Sequence, residues 1–229
     1  MDINSMSARL TFENARNLLG QTVGMAAAQA ARLTSSYVRA EVNIATNLAT
    51  YQIQTLSNQP NNANVIYNTE RRIQLQDWFI ASQIGVFLGA PSSASDATFK
   101  LLSFPDPSVL TTSGAAAAAY ALYNGYLNLT IDNNVVMPEW DIDRHLVIPR
   151  TQPAANADYT TSGINYVGSR NGSVDGYYPC EPNLIFNGAA NLDFKLVLPS
   201  AIATAQANGF SRIIVIMRGV KAQNVTSVR

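Results

Sequence analysis

The chain has 229 residues with fifteen basic and fifteen acidic side chains, so its formal net charge is zero and a global basic field for gripping nucleic acid is excluded. Its single cysteine, Cys180, excludes an intrachain disulfide and a four-thiolate metal site. Charged residues make up only 13%, about half the usual share of roughly 25%.

The polarity comes instead from Asn, Gln, Ser and Thr, whose amides and hydroxyls are cheaper to desolvate than ionised groups. Such a surface suits permanent contact with other chains, and it equally suits a low-charge soluble or extracellular protein. Lys100, Lys195 and Lys221 are the only lysines, and the other basic residues are arginines. Arginine is the cation enriched in interfaces, because its planar guanidinium is weakly hydrated and bonds in a fixed fork. The first residues lack the basic-then-apolar pattern of a secretory signal, so none is expected. No run approaches the roughly 18 apolar residues of a membrane span, and the alanines Ala115–Ala119 are too few.

From about Ser7 to Leu56 the chain reads as one long helix or two in succession. No proline interrupts it, and apolar residues recur at steps of three and four from Phe12 through Leu19, Leu33 and Ala40 to Tyr51. Gly20 and Gly24 weaken the helix and permit close backbone approach; a helical hairpin broken there is the alternative. Many residues of the stripe are small, so a lone helix buries little area, and a helical partner in this or a neighbouring chain is expected. Residues 1–57 are therefore read as an N-terminal helical assembly region. The turn-forming run SNQPNNAN at 57–64 closes it.

Residues 65–229 are read as a β-rich domain. Arg72–Phe79 starts an extended run that continues through Trp78–Ile80 and Ile84–Leu88, and Thr98–Phe104 is another. Tyr126–Ile131 alternates cleanly, a turn follows at Asp132–Asn134, and Val135–Met137 resumes the extended run. Leu146–Ile148 is a short strand, and 151–176 is a loop with one strand near Ile164–Val167. Leu184–Phe186 and Phe194–Leu198 read as a hairpin across Asn187–Asn191. Ser200–Asn208 has helical composition, and Arg212–Met217 is a central strand buried on both faces. The predicted class is α+β, a long N-terminal helical region followed by an antiparallel sandwich or jelly roll.

Chemistry-bearing residues are few. His145 is the only histidine and hence the one candidate general base, but a structural histidine beside a strand is the commoner case. Nothing near Cys180 in sequence lowers its pKa. Glu139, Asp141 and Asp143 alternate and could offer oxygens to calcium; a salt bridge to Arg144 or Arg150, or a charged edge that blocks strand pairing, fits better. Tyrosines between Tyr120 and Tyr178 could stack sugars or bases, though packing is the commoner role. After Asp193 there is no acidic side chain, which leaves a small basic C-terminal end that could meet phosphate. Neither a P-loop nor a dinucleotide fingerprint occurs. No catalytic, cofactor-binding or metal-binding residue is assigned.

The stretch LYNGYLNLTIDNNVVMPEWDIDRHLVIPRTQ at 122–152, and the run from Glu181 to Val225, resemble structural proteins of small bacterial viruses over about a third of the chain. The resemblance implies a virion protein, with a jelly-roll capsid subunit as one form, and carries over no functional residue. The expected function is non-enzymatic. The chain would self-assemble as a homo-oligomer in a virion and contact other virion proteins. The question of a nucleic-acid contact stays open. A carbohydrate-binding or adhesin-like β domain is the alternative.

Overall fold

A computed structural model describes residues 12–44, 48–53, 73, 75–91, 99–105, 110, 115–147, 176–201 and 212–225. Among the described residues, three helices, α1 (Phe12–Val23), α2 (Met25–Ala30) and α3 (Ala115–Tyr123), accompany nine strands. The strands are β1 (Arg32–Asn43), β2 (Thr50–Gln52), β3 (Trp78–Pro91), β4 (Phe99–Leu102), β5 (Tyr126–Ile131), β6 (Asn134–Asp141), β7 (Tyr177–Asn187), β8 (Leu192–Val197) and β9 (Arg212–Gln223).

The strands form two antiparallel sheets. One runs β1-β9-β3, with β7 and β4 sharing the far edge of β3; the other runs β2-β8-β5-β6. With β4 set aside and the other strands renumbered in chain order, the sheets read 1-8-3-6 and 2-7-4-5, the order of a jelly roll. Apart from the β3–β4 and β5–β6 pairs, consecutive strands lie in different sheets, so the chain crosses the core repeatedly. Phe79, Val86, Val215 and Phe186 from the first sheet meet Leu127, Leu129, Phe194 and Leu196 from the second, and α3 adds Leu122 and Tyr123.

The long helix expected over residues 7–56, and with it the α+β class, is corrected: the helices are short and the fold is β-rich. α1 stops at Val23 because Gly24 takes φ 95°, a left-handed backbone that breaks the helix before α2. Arg32–Asn43, expected to be helical, pairs with β9 along its whole length, from Arg32 opposite Gln223 to Asn43 opposite Arg212. Val38, Ala40 and Val42 alternate into the core. The spacing Leu33, Tyr37, Ala40 reads as helical and the spacing Val38, Ala40, Val42 as extended, and pairing with β9 decides between them.

The alanines expected to face another helix instead face a sheet. Ala27, Ala28 and Ala31 bury against Ile80, Val220 and Ala222 on the outer face of the first sheet, beside Ala15 and Leu19 of α1. The linker at 57–64 lies outside the described residues. On its N-terminal side, β1 and β2 belong to the same two sheets as the strands that follow it.

β3 carries a bulge at Ser82: Ala81 lies opposite Gly219 and Gln83 opposite Arg218. The extra residue shifts the alternation by one, so Phe79 and Ala81 point inward before it and Ile84, Val86 and Leu88 after it. Gly219 is required here, because a Cβ at that position would occupy the place of the Ile80 carbonyl oxygen.

β9 is central. Ile213, Val215 and Met217 face the inter-sheet core, while Ile214 and Ile216 pack outside against Phe87 and Tyr177, so both faces are buried as predicted. β5 and β6 form a two-residue hairpin, with Asp132 and Asn133 both at positive φ. The hairpin expected between 184–186 and 194–198 is corrected. β7 pairs with β3 and β8 with β5 and β2, so the turn between them crosses from one sheet to the other. Leu146 and Val147 are not strand; the expected strand at 164–167 and helix at 200–208 lie outside the described residues, apart from Ser200 and Ala201, which are not helical.

Candidate functional site

The densest polar–aromatic cluster forms where β6 ends. A short 3-10 turn, Asp143–His145, follows the strand, held by Asp143 N–H donating to Asp141 Oδ1 at 3.0 Å and His145 N–H donating to Ile142 O at 2.8 Å. This turn inserts His145 wholly out of solvent. The Trp140 Nε1–H donates to His145 Nε2 at 2.8 Å. An indole N–H can only donate, so Nε2 is unprotonated and the proton sits on Nδ1. That nitrogen lies 3.1 Å from the Gly176 carbonyl oxygen, to which it donates.

Burial is the largest influence on this ring and pushes its pKa down to about 4; Arg144 lowers it further, while the Gly176 hydrogen bond and Asp141 pull the other way. Trp140 stacks on the imidazole at 6.1 Å, and Tyr178 meets both rings edge-on. The Arg144 guanidinium lies 4.5 Å from the Trp140 centroid and 5.0 Å from that of Tyr178. The neutral ring has both nitrogens engaged, so neither is open to take a nucleophile's proton. The cluster joins the end of β6 to the start of β7. Ser103 reinforces it: its Oγ–H donates to Val147 O at 3.0 Å, and its backbone carbonyl accepts from Val147 N–H at 3.1 Å.

The alternating acids do not converge. Glu139 and Asp141 are exposed on β6, an edge strand of the second sheet, and Asp143 is exposed on the turn. Pro138 sits in the same edge strand, where it removes a ladder donor; together with the charges it discourages further strand pairing. Among the described residues, no group of three or more His, Cys, Asp or Glu is placed to hold a metal ion. Cys180 points into the core, and burial pushes its thiol up to about 12. Among the described residues the buried Tyr123 hydroxyl has no hydrogen-bond partner, and burial, with Tyr120 nearby, raises its pKa. Tyr159 and Tyr166 lie outside the described residues.

The basic C-terminal residues are engaged internally. Lys195 pairs with Asp193 at 2.6 Å, Arg212 with the buried Glu41 at 3.2 Å, and Lys221 with the buried Asp77 at 3.0 Å. Arg218 lies 3.5 Å from the centroid of the Tyr177 ring. Glu41 also receives Arg39 Nε at 3.0 Å, so one buried carboxylate serves two guanidiniums. Arg229 lies outside the described residues. Sequence reasoning singled out His145, named Arg144 as a salt-bridge partner for the alternating acids and Tyr178 as a stacking or packing residue, but did not bring them together with Trp140 around the imidazole. The pairing of Asp77 with Lys221 left no local signal.

Apolar side chains also stand in solvent. Val135 and Val136, beside the β5–β6 turn, are 59% and 42% exposed, and Phe12 and Met25 are exposed on the helices. Among the described residues no helix is long and apolar enough to cross a membrane. No family model matches the chain, and no curated protein matches it by sequence.

Proposed function

We propose that this chain is a non-enzymatic structural protein of a viral particle, a capsid subunit or another virion component that assembles with copies of itself and with other virion proteins. The observation that carries this reading is the strand order of its two sheets, which is common among capsid subunits. Lectins and cupins share that order, so the interior bears on the choice. Here the space between the sheets is filled by Phe79, Phe186, Phe194 and their neighbours, which favours a solid building block over a barrel that encloses a ligand.

The surface supports the same reading. Zero net charge lets identical copies approach without long-range repulsion. Few lysines and exposed valines beside a short hairpin resemble the composition of interfaces more than that of a free surface. Lys195, Arg212 and Lys221, which could have gripped phosphate, are paired within the fold, and this favours protein–protein contact.

Native mass measurement and electron microscopy of the purified chain test this directly. Regular shells, rings or large homo-oligomers are the expected outcome. A strict monomer that binds a defined glycan on an array would overturn the reading in favour of a carbohydrate-binding domain.

A further inference from the structure

We propose that the His145 ring is an acid-operated latch: when it takes up a proton, the end of β6 and the start of β7 part while the two sheets stay folded. The neutral ring matches its surroundings, with an acceptor nitrogen facing the Trp140 indole N–H and a donor facing the Gly176 carbonyl. An imidazolium has two donors and no acceptor. The proton would enter at Nε2, so the Trp140 N–H, now 2.8 Å away, would face another N–H. The hydrogen bond becomes a repulsion, and a positive charge appears in a site closed to solvent.

The groups around the ring set the direction. On its own turn stand Asp143 and Arg144, and on β6 stand Glu139 and Asp141. On β7, Tyr178 touches the ring, and Tyr177, Cys180 and Glu181 lie along the same strand. β3, which also packs against the turn, contributes no ionisable side chain. Burial and Arg144 oppose the proton, Asp141 favours it, and burial dominates, placing the transition near pH 4.

Release is local because the latch touches only ladder ends: Trp140 lies opposite Leu127 near the end of the β5–β6 ladder, and Tyr178 opposite Ile84 near the end of the β3–β7 ladder. The pairings of β9 with β1 and of β9 with β3 involve no residue of the latch. The latch instead holds together the two ends of the β6–β7 connection, at Val147 and Gly176.

The chain has two tryptophans, so Trp78→Phe leaves Trp140 as the sole tryptophan, read selectively by exciting to the red of tyrosine absorption; the single histidine makes the imidazole C–H resonance of the unmodified protein an unambiguous proton monitor. Between pH 7 and pH 3, Trp140 emission and quencher access should change in one step near pH 4, together with the imidazole resonance and with far-ultraviolet circular dichroism unchanged. His145→Gln offers a carbonyl acceptor and an amide donor but no titrating proton, so the step should vanish in it. The proposal is overturned if the imidazole protonates while Trp140 is unaffected. It is also overturned if the step survives in His145→Gln, or if loss of circular dichroism accompanies it.

Discussion

Asp77 Oδ2 lies 3.0 Å from Lys221 Nζ, and the same carboxylate accepts the Asn224 backbone N–H at 3.2 Å through its other oxygen. The Asp77 carbonyl receives Gly188 N–H at 3.0 Å, and its neighbour Gln76 receives Val225 N–H at 3.0 Å. One residue before β3 therefore binds the end of β9 and the turn after β7.

Asp77→Ala should destabilise the fold by about 2–4 kcal/mol, because it strands the partly buried Lys221 ammonium and leaves a backbone donor unmet. Asp77→Asn keeps an acceptor for Asn224 and should cost less. Urea unfolding reads both, with the midpoint moving and the slope unchanged. A midpoint for Asp77→Ala equal to that of the parent would mean the pair adds nothing to stability.

Gly219 tests the bulge. Its missing Cβ makes room for the Ile80 carbonyl, a backbone atom that cannot swing aside. Gly219→Ala should therefore cost about 1–3 kcal/mol, the usual range for overpacking. Deleting Ser82 in the same background should not restore stability, since that would turn one half of β3 inside out. Thermal melts of the two variants decide it.

Parts of this architecture were legible in the sequence for definite reasons. Tyr126–Ile131 was readable because one face is buried, the other is wetter, and Asp132–Asn133 supply the positive-φ residues of a tight hairpin. Arg212–Met217 was readable because consecutive β-branched residues suit a strand buried on both faces. Residues 32–43 were not, because helical and extended spacings share the same side chains and the partner that chooses between them is β9, at the other end of the chain. In β3 the bulge hid the alternation by changing its phase midway. The β7–β8 turn reads locally as a hairpin, and only the sheet order shows that it crosses the core. Of the candidate site, His145 was visible but its Gly176 partner lies 31 residues away, beyond any local pattern.

The central strand gives two independent readings. Val215→Ala opens a cavity between the sheets, and Ile214→Ala opens one beneath Phe87 and Tyr177 on the outer face. Each should lower stability by about 1–4 kcal/mol through lost transfer energy and incomplete collapse. An unaffected Ile214→Ala melt would mean that the outer cluster packs loosely.

Truncation separates the helices from the sheets. Removing residues 1–57 deletes β1 and β2, one strand from each sheet, and should abolish cooperative unfolding. Removing residues 1–31 leaves the strands but uncovers Ile80, Val220 and Ala222. That shorter product should keep its β circular dichroism, melt lower and bind a hydrophobic dye. If the 1–57 deletion still melts cooperatively at the parent temperature, the pairing of β1 with β9 is dispensable.

His145 also makes a global prediction, with a sign fixed by its environment. Its folded pKa, near 4, lies below the ordinary 6.5, so the unfolded chain binds the proton more readily. The resulting stabilisation is complete above about pH 6.5 and is lost as pH falls toward 4, at up to ~1.4 kcal/mol per pH unit. Asp193 is also held below its ordinary value of 3.8, first by its Lys195 hydrogen bond and then by Gln52, so its own contribution is lost only in a more acidic window. Between pH 6.5 and 5 the histidine should therefore dominate the slope. Urea midpoints of the parent should fall across that interval, while those of His145→Gln should stay level. Parallel slopes in the two proteins would assign the acid sensitivity to another group and leave His145 without a role in it.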